Sequence, residues 1–288
     1  MNTLGQQELW SFLDGHDEAK QVDTVTAVRK AKGHRVDSFL ELATKVAELQ
    51  FRNREHVLMF RGQGSDHRNS KKNTTLKPSL FRPQPGSATP PGSGTLTERF
   101  EVLKDAERLL VHRYENASLL GLDRLKRHRI LRWAILQHYE VCATPLFDVT
   151  HSLRIAASFA SLDATREAFL FVLAVPNLSG AITASAEAGL QIIRLASVCP
   201  PTAVRPHIQE GYLLGEYPEM ADYGQKELYG HYEIDFGRRL LAKFRFDPTT
   251  FWKSDAFPQV VKKALYPARN RDPLLAMAED IKDTLSAH

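Results

Sequence analysis

Cysteine is scarce: Cys142 and Cys199 are the two in 288 residues. That is too few for a disulfide framework in so long a chain, and a structural zinc site would need several histidines arranged beside them. Both thiols sit in apolar surroundings and read as reduced core residues. No apolar run approaches a membrane span, and the opening stretch MNTLGQQELWSF lacks the basic and apolar regions of a signal peptide. A cytoplasmic location without a membrane partner is therefore expected. Charge of one sign is also in short supply: 38 Lys and Arg against 34 Asp and Glu leave +4. Such an excess allows an anionic partner without demanding one. Several catalytic signatures are missing as well. There is no GxxxxGK[ST], no GxGxxG after a strand, no HExxH and no GxSxG. The scattered carboxylates form no metal cluster, which argues against a metal-dependent nuclease or hydrolase.

What is present describes an ordinary globular chain, 43% hydrophobic and 25% charged, with ample sequence for a core. The spacing of VDSFLELATKVAELQ predicts an amphipathic helix over 36–50, capped by Asp37, and residues 56–61 follow as a strand. FRPQPGSATPPGSGT (81–95) reads as a loop, flexible over 82–95. The preceding strand lies too near for a finished domain, so the loop belongs inside one domain. Helices are predicted from Thr97, as a cap, to Tyr114 and over 124–140. After a short apolar strand, another helix begins at Ser152. EAFLFVLAVP (167–176) is a strand buried on both faces, 190–198 and 211–217 read as two more, and the tail is helical. Helices come early and strands late, which gives an α+β fold: a single domain with a mixed, mostly antiparallel sheet flanked by helices. Residues 1–35 are expected as a helical extension and 36–288 as the domain.

The basic run RLKRHRILR (124–132) reads as a solvated helix in preference to a phosphate-tracking patch. His231 and Glu233 in GHYEID offer two metal-type ligands, but no spacing supplies a third, so the pair reads as solvent-facing.

Three islands are polar where the surrounding pattern predicts burial. The first is Arg61-Gly62-Gln63, where VLMFRGQ carries a guanidinium to the end of an apolar strand. The second runs from Gln137 and His138 through Thr144 to Asp148, Thr150 and Ser152. The third is RPHIQEG, from Arg205 through Gln209 to Gly211. Each has a structural alternative. Arg61 could brace the core against Asp148; the hydroxyls could cap the following helix; Gln209 could satisfy backbone groups beneath a turn. Together they offer a fixed cation, hydroxyls, amides and an imidazole, which suits an anionic ligand with a planar head.

The chain resembles the FRG domain family, named for the Phe-Arg-Gly motif found here as Phe60-Arg61-Gly62. The likeness continues through LKPSLFR (76–82), LQHYEVCATPLFDVTHSLRIAASFA (136–160), RPHIQEGYLL (205–214) and LYPARNRDPLLAMAEDIK (265–282), and spans about residues 36–282. Phe147 and Val149 stand where members usually have leucine and tryptophan, and YEVCAT replaces a glycine-leucine-proline-threonine turn. The motif order is similar in turn to that of ADP-ribosyltransferases. This second resemblance implies an ADP-ribosyltransferase-like fold and an enzyme that uses NAD as substrate, without metal. The enzyme would act as a toxin or phage-defence effector on a nucleic-acid or protein acceptor, with an antitoxin or regulatory partner allowed. The alternative it leaves is a non-catalytic nucleotide- or RNA-binding module. In that frame Arg61 grips a diphosphate or ribose, with Gly62, Gln63, Thr144 and Arg205 beside the ligand. Thr150 and Ser152 bond near the nicotinamide ribose, and His138 and Asp148 orient that wall. Gln209 takes the position of a catalytic glutamate. A glutamine supplies no negative charge. Glu210 serves through a bulge, or Gln209 works with charge from Asp148, or catalysis is lost.

Overall fold

Residues 168–175, AFLFVLAV, carry no polar side chain, and such a strand belongs in the middle of a sheet covered on both faces. The computed structural model of the protein describes residues 1–4, 9–87, 89–228, 234–254 and 256–287, and the strand lies among its central ones. In chain order the strands are β1 (Leu9–Ser11), β2 (Lys20–Val22), β3 (His34–Arg35), β4 (Val57–Gln63), β5 (Phe147–Thr150), β6 (Ala168–Val175), β7 (Ile182–Ser185), β8 (Leu190–Arg194), β9 (Gly211–Glu216) and β10 (Leu240–Phe246). The helices are α1 (Val25–Lys30), α2 (Phe39–Arg52), α3 (Ser93–Asn116), α4 (Leu122–Arg127), α5 (Arg129–His138) and α6 (Leu153–Leu162). They continue as α7 (Leu195–Val198), α8 (Val204–Ile208), α9 (Tyr223–Glu227), α10 (Pro248–Phe251), α11 (Lys262–Leu265) and α12 (Pro273–Ser286).

Eight strands form one open sheet in the order β3-β10-β6-β4-β5-β9-β8-β7. Its pairings are antiparallel except β3 with β10. The fold is α+β, as the order of helical and strand patterns implies. Buried apolar side chains make one cluster running from Leu4 to Ile281. No helix among the described residues is long and apolar enough to cross a membrane.

Four local expectations are corrected. Residues 1–35 are not a helical extension: they hold β1, β2 and one short helix, and β3 joins the main sheet. Apolar burial decides this, since Phe12 packs 5.7 Å from Phe244 and 5.3 Å from His34, ring centre to ring centre. Ser38 rather than Asp37 caps α2: its hydroxyl accepts the Glu41 amide at 3.1 Å, while the Glu41 carboxylate accepts the Asp37 amide at 2.8 Å. Helix α3 begins at Ser93, within the segment read as a loop, because the buried stripe of Phe100, Leu103 and Leu110 extends back to Leu96. Thr97 is inside that helix, donating to the Ser93 carbonyl at 2.9 Å. The helix predicted over 124–140 breaks at His128, where Arg132 donates to the Leu125 and Lys126 carbonyls at 2.8 and 3.1 Å. Those carbonyls have a side-chain donor in place of the amides that a continuous helix would offer.

The basic run is largely committed to structure. Lys126 pairs with Glu115 at 2.7 Å and Arg132 with Glu107 at 2.7 Å, and Arg124 reaches the Ser197 carbonyl at 3.3 Å. Burial pushes the Cys142 thiol up to about 12 and raises Cys199 further. Cys199 is a buried core thiol as expected, whereas Cys142 is half-buried on the lining of a cavity. His231 and Glu233 lie outside the described residues.

Candidate functional site

A cleft opens where the sheet parts. Strands β4 and β5 share one register pair, Phe60 with Thr150, and the ladder is not continued toward Gln63. Residues 61–63 therefore face 148–149 across a gap, which widens into a cavity of about 570 Å³. That volume falls in the range of small-molecule sites, roughly 300–1,000 Å³. Its far wall is α6, which crosses β4 so closely at Gly62 that a Cβ there would lie 1.8 Å from the Ala156 carbonyl oxygen. A glycine is required at that point by backbone approach.

Arg61 and Asp148 meet across the gap, though not as an ion pair. The guanidinium reaches the Asp148 backbone carbonyl at 3.3 Å and rests 5.4 Å from the Phe147 ring centre. Its Nε is buried with no hydrogen-bond partner. The alternative that Arg61 braces the core against the Asp148 carboxylate does not hold. That carboxylate has partners of its own on α5: Gln137 Nε2 donates to it at 2.7 Å, and His138 Nδ1 lies 3.6 Å away. Gln137 is itself fixed, its Oε1 accepting from Thr144 at 2.6 Å and Ser79 at 3.0 Å. Burial works to raise the Asp148 carboxyl, but the His138 contact, the Arg61 charge and the Gln137 amide together hold it below the ordinary carboxylate value. It is ionised at neutral pH.

Burial likewise lowers His138 below the ordinary 6.5, against the pull of Asp148, so the ring is neutral. With Nδ1 turned to the carboxylate, Nε2 keeps its lone pair, buried and unpartnered. Seven buried side-chain atoms lack a partner among the described residues, and four belong to this wall: Arg61 Nε, Gln63 Oε1, His138 Nε2 and Arg205 Nε. Buried polar groups are normally satisfied, so their concentration here marks a surface shaped for something polar that completes it.

Residues 56–168 match the family model of the FRG domain. That segment is similar to an FRG domain. No curated protein and no solved structure matches the chain. Arg61 and Asp148 both fall within the FRG segment, whereas RPHIQEG and the closing LYPARNRDP segment lie beyond it.

Of the residues that the sequence marks around the FRG motif, Arg61, Gly62, Gln63, His138, Asp148 and Thr150 line the cleft, and so do Arg205 and Gln209. Thr144 and Ser152 do not. Thr144 is fully buried beneath Gln137, and Ser152 precedes α6 without a capping bond from its side chain. The Thr150 hydroxyl is committed to the Gln209 and Glu210 carbonyls at 2.8 and 3.1 Å, which ties β5 to the turn before β9. Gln209 and Glu210 occupy that turn rather than a strand. Helix α8 ends at Ile208, Gln209 caps it, and Glu210 adopts φ 45°. No bulge in a strand brings Glu210 to the position of Gln209. Gln209 is buried with its Nε2 on the Leu265 carbonyl at 2.8 Å, while Glu210 is exposed and outside the cleft.

Arg82 is the residue that sequence reading missed. It follows LKPSLF in the proline-rich stretch and lines the cleft, anchored by a bond from Nε to the Lys77 carbonyl at 2.9 Å. Desolvation and the neighbouring Arg61 charge both lower it. Neither arginine has a carboxylate partner among the described residues. No cluster of three metal-type ligands occurs among those residues.

The histidines give the protein a pH dependence. His34, His56 and His138 all lie below 6.5, chiefly through burial. Near that pH the unfolded chain takes up protons that the folded chain refuses, so stability falls as the pH drops through it. Asp148 acts in the same direction lower down, since its depressed carboxyl stabilises the fold above the ordinary 3.8 and loses that contribution as the pH falls toward its folded value. The urea midpoint is expected to be lower at about pH 5.5 than at about pH 7.5. Equal midpoints would show that these rings titrate normally.

Proposed function

We propose that the cleft binds a phosphate-bearing nucleotide and that the protein is an NAD-dependent ADP-ribosyltransferase acting on a macromolecule. One observation carries the reading: Arg61 and Arg82, two guanidinium groups without ion-pair partners among the described residues, line the same cavity as the ionised Asp148 carboxylate. A diphosphate presents pairs of oxygens that a planar guanidinium fork matches better than a lysine does. Beside it, a carboxylate suits the nicotinamide ribose that the same diphosphate carries. When the bond between nicotinamide and ribose breaks, its electron pair leaves with the nicotinamide nitrogen and positive charge grows on the ribose carbon. Asp148, fixed by Gln137 and His138, stabilises that charge. An acceptor nucleophile then bonds to the carbon and releases its proton to solvent. Asp148 thus takes the electrostatic role, because the Gln209 amide is tied to Leu265 and Glu210 lies outside the cavity.

The acceptor is a nucleic acid or a protein, in keeping with a toxin or phage-defence effector. The test is incubation with labelled NAD and cell extract, followed by separation of RNA, DNA and protein. Label is expected in one macromolecular fraction, with nicotinamide released. Asp148→Asn is expected to lower nicotinamide release by about a hundredfold or more while NAD affinity changes only severalfold. If Asp148→Asn turns over like the wild type, the carboxylate is not the catalytic group.

The engaged Gln209 amide favours a second reading, in which the cavity senses a nucleotide or RNA end without turnover. Calorimetric binding of ADP-ribose with no product by mass spectrometry would select it.

A further inference from the structure

Tyr266 stands on the lining of the same cavity as Arg61 and Arg82, without an assigned task. The residue is 38% exposed, a large share for an aromatic side chain on a cleft wall. The hydroxyl makes no hydrogen bond among the described residues, so the ring is not held there by its polar end. It is held by its surroundings. Phe159 meets it edge-on, ring centres 5.9 Å apart at 81°. Arg205 lies between two tyrosines, its Cζ 4.9 Å from the Tyr266 centre and 5.6 Å from that of Tyr139. Glu140 pairs with the same guanidinium at 2.7 Å. Behind the ring, Gln209 Nε2 fixes the Leu265 carbonyl at 2.8 Å and the Tyr266 amide donates to the Lys262 carbonyl at 2.9 Å.

We infer that Tyr266 is the stacking platform for the nucleobase of the bound nucleotide, and that Gln209 and Arg205 are its positioning residues. The inference rests on the nucleotide reading of the cleft. A ring held by a cation and by a phenyl group set at 81° to it is already ordered, and the exposed part of the residue lies on the cavity lining. Stacking on such a ring tolerates any base, because every base has a π-face. The ligand is then divided between them: Arg61 and Arg82 hold the phosphates, Tyr266 the base. This division also gives the buried Gln209 amide a role that needs no negative charge.

Calorimetry with ADP-ribose and with inorganic pyrophosphate separates the two ends. Tyr266→Ala is expected to weaken ADP-ribose about tenfold to a hundredfold and to leave pyrophosphate within about twofold. Tyr266→Leu, which keeps apolar packing on Phe159, should show the same pattern; Tyr266→Phe should match the wild type. Gln209→Ala should weaken ADP-ribose severalfold and spare pyrophosphate. If Tyr266→Leu leaves ADP-ribose binding intact, or weakens both probes alike, the platform is overturned. A wild type that binds pyrophosphate as tightly as ADP-ribose overturns the platform but keeps the anion site. A wild type that binds neither overturns both.

Discussion

Replacing Arg61 with alanine is expected to weaken ADP-ribose and NAD binding by about a hundredfold or more and to abolish transfer, with little change in melting temperature. The asymmetry follows from what the side chain does in the folded protein. Among the described residues its one side-chain hydrogen bond is a long one, 3.3 Å, to the Asp148 backbone carbonyl, and its Nε has no partner there. The fold therefore loses little when the guanidinium goes. A bound phosphate would lose two charge-assisted hydrogen bonds, each contributing about 1.5–3 kcal/mol. Arg61→Lys should recover only part of the loss, since a point charge cannot reproduce the fork. Removing the cation also relieves the Asp148 carboxyl of one of the influences that keep it low, so its apparent pKa in the variant should rise. Titration calorimetry checks the affinity and carboxyl-labelled NMR the pKa. An Arg61→Ala protein that binds ADP-ribose like the wild type would remove the anion site from the account.

Gly62→Ala should act in the opposite way, on the fold first. A methyl group at this position would sit 1.8 Å from the Ala156 carbonyl oxygen and 2.7 Å from the Ala160 amide nitrogen. Both are helix backbone atoms, so no side chain can swing aside. Either α6 moves off β4 or the strand bends, and both routes disturb the cleft wall. Overpacking of this kind costs about 3 kcal/mol or more, a large share of the 5–15 kcal/mol that holds a domain folded. The melting temperature should fall by roughly 10 °C, or the protein should fail to accumulate in soluble form. A melt within a degree or two of the wild type would show that the close approach relaxes freely. Gly64, two residues on, has 3.5 Å of clearance and serves as the control, because Gly64→Ala should change little.

These two neighbours show how much of the site could be seen from the chain alone. Arg61 and Gly62 were conspicuous because an apolar strand has no internal use for a guanidinium and no local use for a glycine. Asp148 stood out for the same reason, as a charge on a short apolar strand. Gln209 is visible as a polar residue in such a setting, but its local structure is not a bulged strand. The segment RPHIQEG carries proline in a first helical turn and glycine shortly past the end, the signature of a short helix that Gln209 caps. Arg82 and Tyr266 gave no local signal. Each lies in a stretch whose composition describes a turn, and each matters through what the fold brings beside it from distant parts of the chain.

The sequence by itself determined the elements that carry an internal rhythm: the apolar strand at the sheet centre, the α2 stripe, the FRG motif and the α+β order. Hydrophobic period and local backbone chemistry act over a few residues, so they can be read without knowing the fold. Tertiary structure alone decided which polar groups find partners. Thr150 and Gln209 are bonded, whereas Arg61, which could have paired with a carboxylate, has no ion-pair partner among the described residues and an unpartnered Nε. Whether a charge is satisfied depends on residues scores of positions away, and that is settled only when β4 and β5 part and the sheet closes around the gap.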